Sequence, residues 1–140
     1  MAGEHGESQF AVWSSVHVSS MPLDNYCEKR GISLNKKELV TNIIGSGAQV
    51  IKRKGMTNFA IAAIVAELCG TIMRDRGSIL TVTSCLDNYY GISDVCISVP
   101  CIIGKEGILD HLPYDFNEEE MAKLKKSAES IRSFMDSLNV

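Results

Sequence analysis

The chain has 140 residues, of which 45% are hydrophobic and 22% charged, and this ordinary globular composition predicts a single domain over residues 1–140. The formal net charge of −3 argues against a surface that binds nucleic acid or an anionic membrane. The longest apolar run, Phe59–Val65, is too short to cross a bilayer.

The cysteines and the first residues indicate the compartment. The five cysteines form no CxxC pair, and three of them lie within apolar runs. Buried free thiols are therefore favoured over disulfides. The first ten residues, MAGEHGESQF, lack both the basic and the apolar region of a secretory signal peptide. Together these features predict a protein of the reducing cytoplasm.

The first predicted elements are a strand, a turn and a long helix. Residues 10–18 are rich in β-branched and aromatic side chains and predict a strand. Residues 21–24 (MPLD) predict a turn. A helix is predicted from Asn35, which is followed three residues later by a glutamate as in a capping box, to Lys54, with Gly55 ending it. The three basic residues before Gly55 could form an anion site, but a charged helix terminus that complements the helix dipole is favoured.

The next predicted helix covers residues 59–76, with Thr57 or Asn58 as its N-cap. Its first nine residues are apolar almost all round. A helix with no polar face is normally covered by other parts of a protein. The sequence therefore predicts a helix that is buried on most of its faces.

The last third of the chain predicts a small antiparallel sheet and a final helix. Residues 78–86 and 94–100 alternate in polarity on either side of a glycine-containing turn, which predicts a hairpin. A short strand is predicted from Ile108, and Asn117 begins an acidic N-terminal turn of an amphipathic helix. The fold class is therefore α+β, an antiparallel sheet covered by about three helices.

The residues with most chemical potential lie at the start of the chain. His5 stands between Glu4 and Glu7, with glycines on both sides of the group. Histidine moves protons readily near neutral pH, and a carboxylate beside it can fix its tautomer. On the residues alone, a histidine in a polar loop is usually only solvated. No metal site is predicted, because the chain has no HExxH motif, and no GxGxxG or P-loop is present to hold dinucleotide phosphates.

Four stretches, in order, resemble one known family. GEHGESQFAVWS (residues 3–14) resembles the active-site segment of the L-lactate dehydrogenases, and KGMTNFAIA (54–62) resembles their second signature. The run YYGISDVCISVPCIIGKEGI (89–108) is similar to their C-terminal hairpin, and EEEMAKLKKSAESI (118–131) looks like their last helix. Because the four stretches cover nearly the whole chain in the family's order, the resemblance is specific.

The resemblance implies a role for three residues. His5 falls on the histidine that donates a proton to the keto oxygen of pyruvate and takes it back in the reverse reaction. Thr57 falls on the threonine that lines the substrate pocket, and Ile61 falls on the apolar residue that packs against the nicotinamide of NAD. An N-cap for Thr57 and a core position for Ile61 are compatible with those roles.

The resemblance also implies parts that these residues do not supply. The family's Rossmann-type NAD-binding domain, its substrate-binding arginine and the aspartate that orients the histidine would all precede Gly3. Glu7 stands where the family usually has aspartate. The expected partners are therefore the chain's own nucleotide-binding domain, a small 2-keto or 2-hydroxy acid, and further copies in a homo-oligomer. By itself the chain is expected to be inactive.

Two alternatives remain at this point. The chain could come from a relative acting on another L-2-hydroxy acid, of the hydroxyisocaproate or malate type, although the signature at Lys54–Thr57 fits lactate enzymes better. It could also be a stand-alone binding or oligomerisation module that does no catalysis. A panel of substrates distinguishes the first alternative from a lactate dehydrogenase. An activity assay distinguishes the second alternative from an enzyme.

Overall fold

A three-stranded antiparallel sheet forms the centre of the computed structural model, which describes residues 1–6 and 8–138. The elements in chain order are β1 (His17–Val18), β2 (Met21–Pro22), α1 (Leu23–Arg30), α2 (Lys36–Lys54), α3 (Phe59–Met73), β3 (Ser78–Cys85), β4 (Cys96–Gly104), β5 (Gly107–His111) and α4 (Glu118–Ser137). In the sheet, β4 lies between β3 and β5. The predicted hairpin, the short strand after it and the α+β class are confirmed.

The start of the chain lies against β4. Ala2 pairs with Phe10, and Gly3 pairs with Ser98 through two hydrogen bonds, 2.9 Å from its N–H and 2.8 Å to its carbonyl oxygen. Ala2 and Phe10 also belong to the buried core. The segment that carries His5 is therefore anchored to the sheet at Gly3, two residues before the histidine.

The core lies between the sheet and α4. Alternate residues of β4 point inward, and α4 covers them with Leu124 and Ala128. Asn117 caps α4 through the complete capping box with Glu120, as the sequence predicts. The buried carboxylate of Glu120 also accepts hydrogen bonds from the Ser14 amide (3.0 Å) and hydroxyl (2.6 Å). Glu120 thus joins the first turn of α4 to the N-terminal segment.

The environment of Glu120 makes part of the fold sensitive to acid. Burial by itself would raise the pKa of this carboxyl, but hydrogen bonds from Ser14 and from the Asn117 and Trp13 amides outweigh it, so the pKa is lowered. The resulting stabilisation is present above the ordinary glutamate pKa of about 4.3 and is lost as the pH falls through the lowered value.

Glu120→Gln is expected to reduce the free energy of unfolding near neutral pH by about 1–3 kcal/mol, because an amide replaces a charged acceptor of several hydrogen bonds. Urea unfolding near neutral pH and again at about pH 3.5 checks this, because the difference between variant and native chain should shrink in acid. Glu118→Gln is the control, since Glu118 is an exposed acid in the same turn. An equal effect of the two substitutions would contradict the prediction.

The prediction of a strand over residues 10–18 is wrong. Phe10 makes a single bridge, Trp13–Ser15 forms a short 3₁₀ helix, and only His17–Val18 is a strand. The hydrogen bonds of Ser14 to Glu120 turn the backbone out of the extended conformation at this point. The turn predicted at residues 21–24 is also wrong, since residues 21–22 form β2 and residues 23–24 begin α1, which accounts for a fourth helix.

The predictions of helices α2 and α3 are both confirmed, but the predicted burial of α3 on most of its faces is wrong. Asn35 accepts a hydrogen bond from the Glu38 amide, three basic residues occupy the last turn of α2, and Gly55 ends it with a left-handed conformation. In the first turns of α3 the apolar side chains are exposed, Phe59 by 81% and Ile64 by 60%, whereas Leu68 and Ile72 near its end pack against the core. The apolar pattern correctly reports a surface suited to being covered, but no part of residues 1–6 and 8–138 covers it.

Two further predictions concern the thiols and the membrane. All five cysteines are free, as predicted, but only Cys101 is buried. Three of the others, at positions 69, 85 and 96, are exposed, because no other part of the described chain covers them. Within the described ranges, none of the helices is both long and apolar enough to cross a membrane.

Candidate active site

His5 lies at the tip of a tight turn. The Gly6 amide donates a 3.0 Å hydrogen bond to the Glu4 carbonyl oxygen, which is the pattern of a three-residue turn centred on His5. The imidazole is exposed. Because Gly3 is fixed to β4 by two hydrogen bonds, the turn is anchored while the ring stays accessible.

The turn is also fastened to α4. Ser127, which is fully buried, accepts a 2.6 Å hydrogen bond from the Glu4 amide, and its hydroxyl lies 3.0 Å from that of Ser8. The Ser8 hydroxyl donates to the Glu4 carboxylate. Glu4 is therefore engaged with Ser8, and Glu7, the other neighbouring carboxylate, lies outside the described residues.

Gly3 is required by the geometry at this point. Its φ is +92°, and a Cβ there would lie 2.9 Å from Ser127 Oγ and 3.3 Å from the Ser8 carbonyl oxygen. Residues with a side chain rarely adopt this conformation, and the buried serine leaves no space for one. The glycine lets the backbone approach α4 closely enough for the Glu4 amide to reach Ser127.

A cavity of about 250 Å³ opens beside His5. Its lining consists of the first residues and two side chains of the hairpin: Met1, Ala2, Gly3, Glu4, His5, Gln9, Thr81 and Ser98. The volume suits a molecule of a few heavy atoms. The lining brings together a side chain that can exchange a proton and two hydroxyls that can bind a polar oxygen.

Thr57 and Ile61 lie elsewhere on the surface. Thr57 lines a second cavity of about 540 Å³ between the end of α2 and the start of α3, which does not include His5. Asn58 occupies the N-cap position of α3, so Thr57 does not cap it. Ile61 is 57% exposed on the first turn of α3. The described residues do not bring these two side chains into one cavity with His5.

The other two histidines have local partners. His111 Nε2 lies 2.8 Å from the Ser84 hydroxyl, and His17 Nδ1 lies 3.1 Å from the Ser15 carbonyl oxygen. In the part of the chain that the structure describes, no group of three or more His, Cys, Asp or Glu side chains could hold a metal ion. His5 is therefore the histidine best placed for chemistry.

Sequence reasoning missed Ser127, Thr81 and Ser98. The alternation along β3 and β4 could have placed Thr81 and Ser98 on one face of the hairpin. No local signal brings that face beside residue 3, because the Gly3–Ser98 pair and the Glu4–Ser127 hydrogen bond join distant parts of the chain.

Comparison with known proteins gives a consistent result. Residues 1–139 match the family model described as lactate/malate dehydrogenase, alpha/beta C-terminal domain. An L-lactate dehydrogenase of Thermoanaerobacter pseudethanolicus is 37% identical over 141 residues, covering 99% of this chain and 45% of the relative. One from Clostridium botulinum is 39% identical over 137 residues, covering 96% of this chain and 43% of the relative.

Solved structures show the same partial match. An L-lactate dehydrogenase from Clostridium thermocellum superposes with a TM-score of 0.86 at 31% identity, and a lactate dehydrogenase from a deep-sea metagenome library superposes with 0.93 at 25% identity. Each superposition covers 99% of this chain and 45% of the solved chain. The chain thus spans less than half the length of the relatives that it matches.

Proposed function

Because the chain belongs to the lactate/malate dehydrogenase family, as its alpha/beta C-terminal domain, we propose that it is the substrate-binding and catalytic half of an NAD-dependent L-lactate dehydrogenase. The observation that carries the proposal is the match over residues 1–139, together with an anchored, exposed His5 beside a small cavity. The reaction is the interconversion of pyruvate, NADH and a proton with L-lactate and NAD⁺.

His5 is proposed as the proton donor and acceptor. Its imidazolium donates a proton to the keto oxygen of pyruvate as that carbon is reduced, and the neutral ring takes the proton back from the hydroxyl of lactate in the reverse direction. The turn anchored through Gly3 and Ser127 holds the backbone on either side of His5 in place. The hydroxyls of Thr81 and Ser98 line the same cavity and can bind a polar oxygen of the acid.

The residues around the start of α3 suit the nicotinamide end of NAD. The exposed apolar Ile61 can pack against a nicotinamide ring, and Thr57 lies beside Met56 and Phe59 in a cavity with an apolar lining. When bound, NAD supplies or accepts the hydride. An apolar side chain beside the nicotinamide ring would help to exclude water from hydride transfer. The sequence contains no glycine-rich phosphate loop, so the dinucleotide phosphates require the nucleotide-binding half.

The lactate assignment rests on the signature at Lys54–Thr57 and on the names of the relatives. The free thiols are consistent with a reducing cytoplasm as the place of action.

The test of the function is reconstitution. The chain alone is expected to show no pyruvate-dependent oxidation of NADH, because it lacks a dinucleotide phosphate site. A hybrid in which it follows the nucleotide-binding half of the Thermoanaerobacter relative is expected to show that activity. Oxaloacetate and 2-ketoisocaproate serve as the comparison substrates. Activity of the chain alone would contradict the two-half proposal, and an inactive but folded hybrid would favour a non-catalytic binding module.

The exposed apolar side chains of α3 lead to a second expectation. Large exposed apolar patches mark sites of association. The chain alone is expected to self-associate with increasing concentration, and Ile64→Glu, which places a charge on that face, is expected to reduce the association. Light scattering measures both. Glu67→Gln on the same helix is the control, and a native chain that stays monomeric at high concentration contradicts the expectation.

A further inference from the structure

Cys85 and Cys96 form a cross-strand pair at the loop end of the β3–β4 hairpin. They are directly opposite in the antiparallel register and are the last pair before the loop over residues 86–95. Both side chains are exposed and both thiols are free. Neither residue belongs to the cavity beside His5.

Hydrogen bonds of the neighbouring residues define the type of this pair. The amide and the carbonyl oxygen of Ser98 both bond to Gly3, so they point away from β3. Cys96 lies two residues earlier on the same strand and has the same orientation. On the other side, the Leu86 amide donates a 3.0 Å hydrogen bond to the Val95 carbonyl oxygen. Cys85 and Cys96 are therefore a non-hydrogen-bonded pair.

This pair type suits a disulfide. In a non-hydrogen-bonded antiparallel pair the Cα atoms lie about 4.5 Å apart and the side chains approach closely. A disulfide spans Cα separations of roughly 4.4–6.8 Å. The neighbouring pair of the same type, Thr83 and Ser98, already joins its hydroxyls at 2.8 Å. No rearrangement of the strands is needed for the two sulfurs to meet.

We propose that Cys85 and Cys96 are a redox-sensitive pair, which a low-molecular-weight disulfide oxidises to a cross-strand disulfide. One protein thiolate attacks a sulfur of the small disulfide, forming a mixed disulfide and releasing one small thiol. The second protein thiolate attacks the protein sulfur of that mixed disulfide and releases the other small thiol. The protein dithiol is oxidised by two electrons, and the small disulfide is reduced to two thiols.

The surroundings of Cys85 affect the ionisation of its thiol. Desolvation, the facing Cys96 thiol and the negative charges of Asp94 and Asp87 all raise the pKa of the Cys85 thiol. Reducing conditions keep the pair open. The other three cysteines have different surroundings, since Cys101 is buried opposite Leu80 and the remaining two lie on helices.

Oxidation would act on the hairpin and on the segment beside it. The disulfide closes the loop over residues 86–95 and restricts the unfolded chain. The next pair, Thr83 and Ser98, carries the bridge to Gly3, two residues before His5. The hydrogen-exchange rates of the Gly3 and Ser98 amides are therefore expected to fall on oxidation.

The experiment treats the whole chain with oxidised glutathione and maps its disulfides without reduction. Cleavage after Tyr89 and Tyr90 separates the two cysteines, so mass spectrometry detects the peptides that they join. The expected result is a Cys85–Cys96 link and a rise of about 5–10 °C in melting temperature that dithiothreitol reverses. Cys85→Ser and Cys96→Ser should each abolish both, while Cys69→Ser, which removes an exposed thiol on α3, should retain both.

Two results would overturn the proposal. One is a stable mixed disulfide with glutathione on both cysteines and no link between them, which would show that the sulfurs do not meet. The other is a link of Cys85 or Cys96 with Cys27 or Cys69 as frequent as the link between the pair, which would show random oxidation. Neither result bears on the proposed dehydrogenase function, because the assay does not use catalysis.

Discussion

In the hybrid with the Thermoanaerobacter nucleotide-binding half, His5→Asn is expected to lower kcat for pyruvate reduction by about 10²–10⁴-fold. Asparagine keeps the size and polarity of the side chain but cannot exchange a proton near neutral pH. Because His5 is exposed at the tip of the turn and is not part of the core, the fold should be unaffected. Initial rates of NADH oxidation at saturating pyruvate measure the loss.

The control for this substitution is His17→Asn. His17 is also exposed, and its ring bonds to a nearby backbone oxygen outside the proposed site. Its replacement is expected to leave kcat within about twofold, since surface substitutions of this kind change little. A His5→Asn hybrid that keeps most of its kcat would show that another group moves the proton.

Elements with local signals could be predicted from the sequence. Helix α2 has its cap at Asn35 and its stop at Gly55, and α4 has a complete capping box at Asn117, so both begin where the sequence indicates. The hairpin follows from strict alternation on both sides of a turn. In each case the decisive contacts lie within a few residues or between neighbouring strands.

Elements decided by distant contacts could not be predicted. Residues 10–18 have the composition of a strand, but Ser14 bonds to Glu120, 106 positions away, and the backbone turns there. Helix α1 spans only eight residues, Leu23–Arg30, which is too short for a clear apolar period. In α3 the apolar pattern predicts burial, but the first turns are exposed in the described chain, because such a pattern cannot say which part of a protein provides the cover.

The candidate site, like the fold, could be predicted from the sequence only in part. The resemblance of residues 3–14 to the family's active-site segment pointed to His5, and the structure shows how that residue is presented. Ser98 and Ser127 became visible only through the fold, since the hydrogen bond from Glu4 to Ser127 joins residues 123 positions apart. The assigned roles of Thr57 and Ile61 depend on how the nucleotide-binding half completes the site, and both roles stay predictions.

Gly3→Ala is expected to cost about 2–4 kcal/mol of unfolding free energy, because the new methyl group adds backbone strain and crowds a packed site. At Gly3 the φ of +92° is unfavourable for alanine, and the Cβ would lie 2.9 Å from Ser127 Oγ. Relief requires the backbone to move away from α4, which would break the hydrogen bond from the Glu4 amide. Urea unfolding of the chain measures the loss.

Gly47→Ala is the matched control for this substitution, because an added Cβ at Gly47 meets nothing within 4 Å on helix α2. It is expected to stabilise the chain by up to about 1 kcal/mol, since alanine is the better helix former. In the hybrid, Gly3→Ala should also lower kcat, because a displaced turn carries His5 with it. If Gly3→Ala unfolded like the native chain and kept its kcat, close packing of the turn on Ser127 would not be what positions the histidine. Loss of stability with an unchanged kcat would separate the two roles, showing that the packing supports the fold while His5 is held by other contacts.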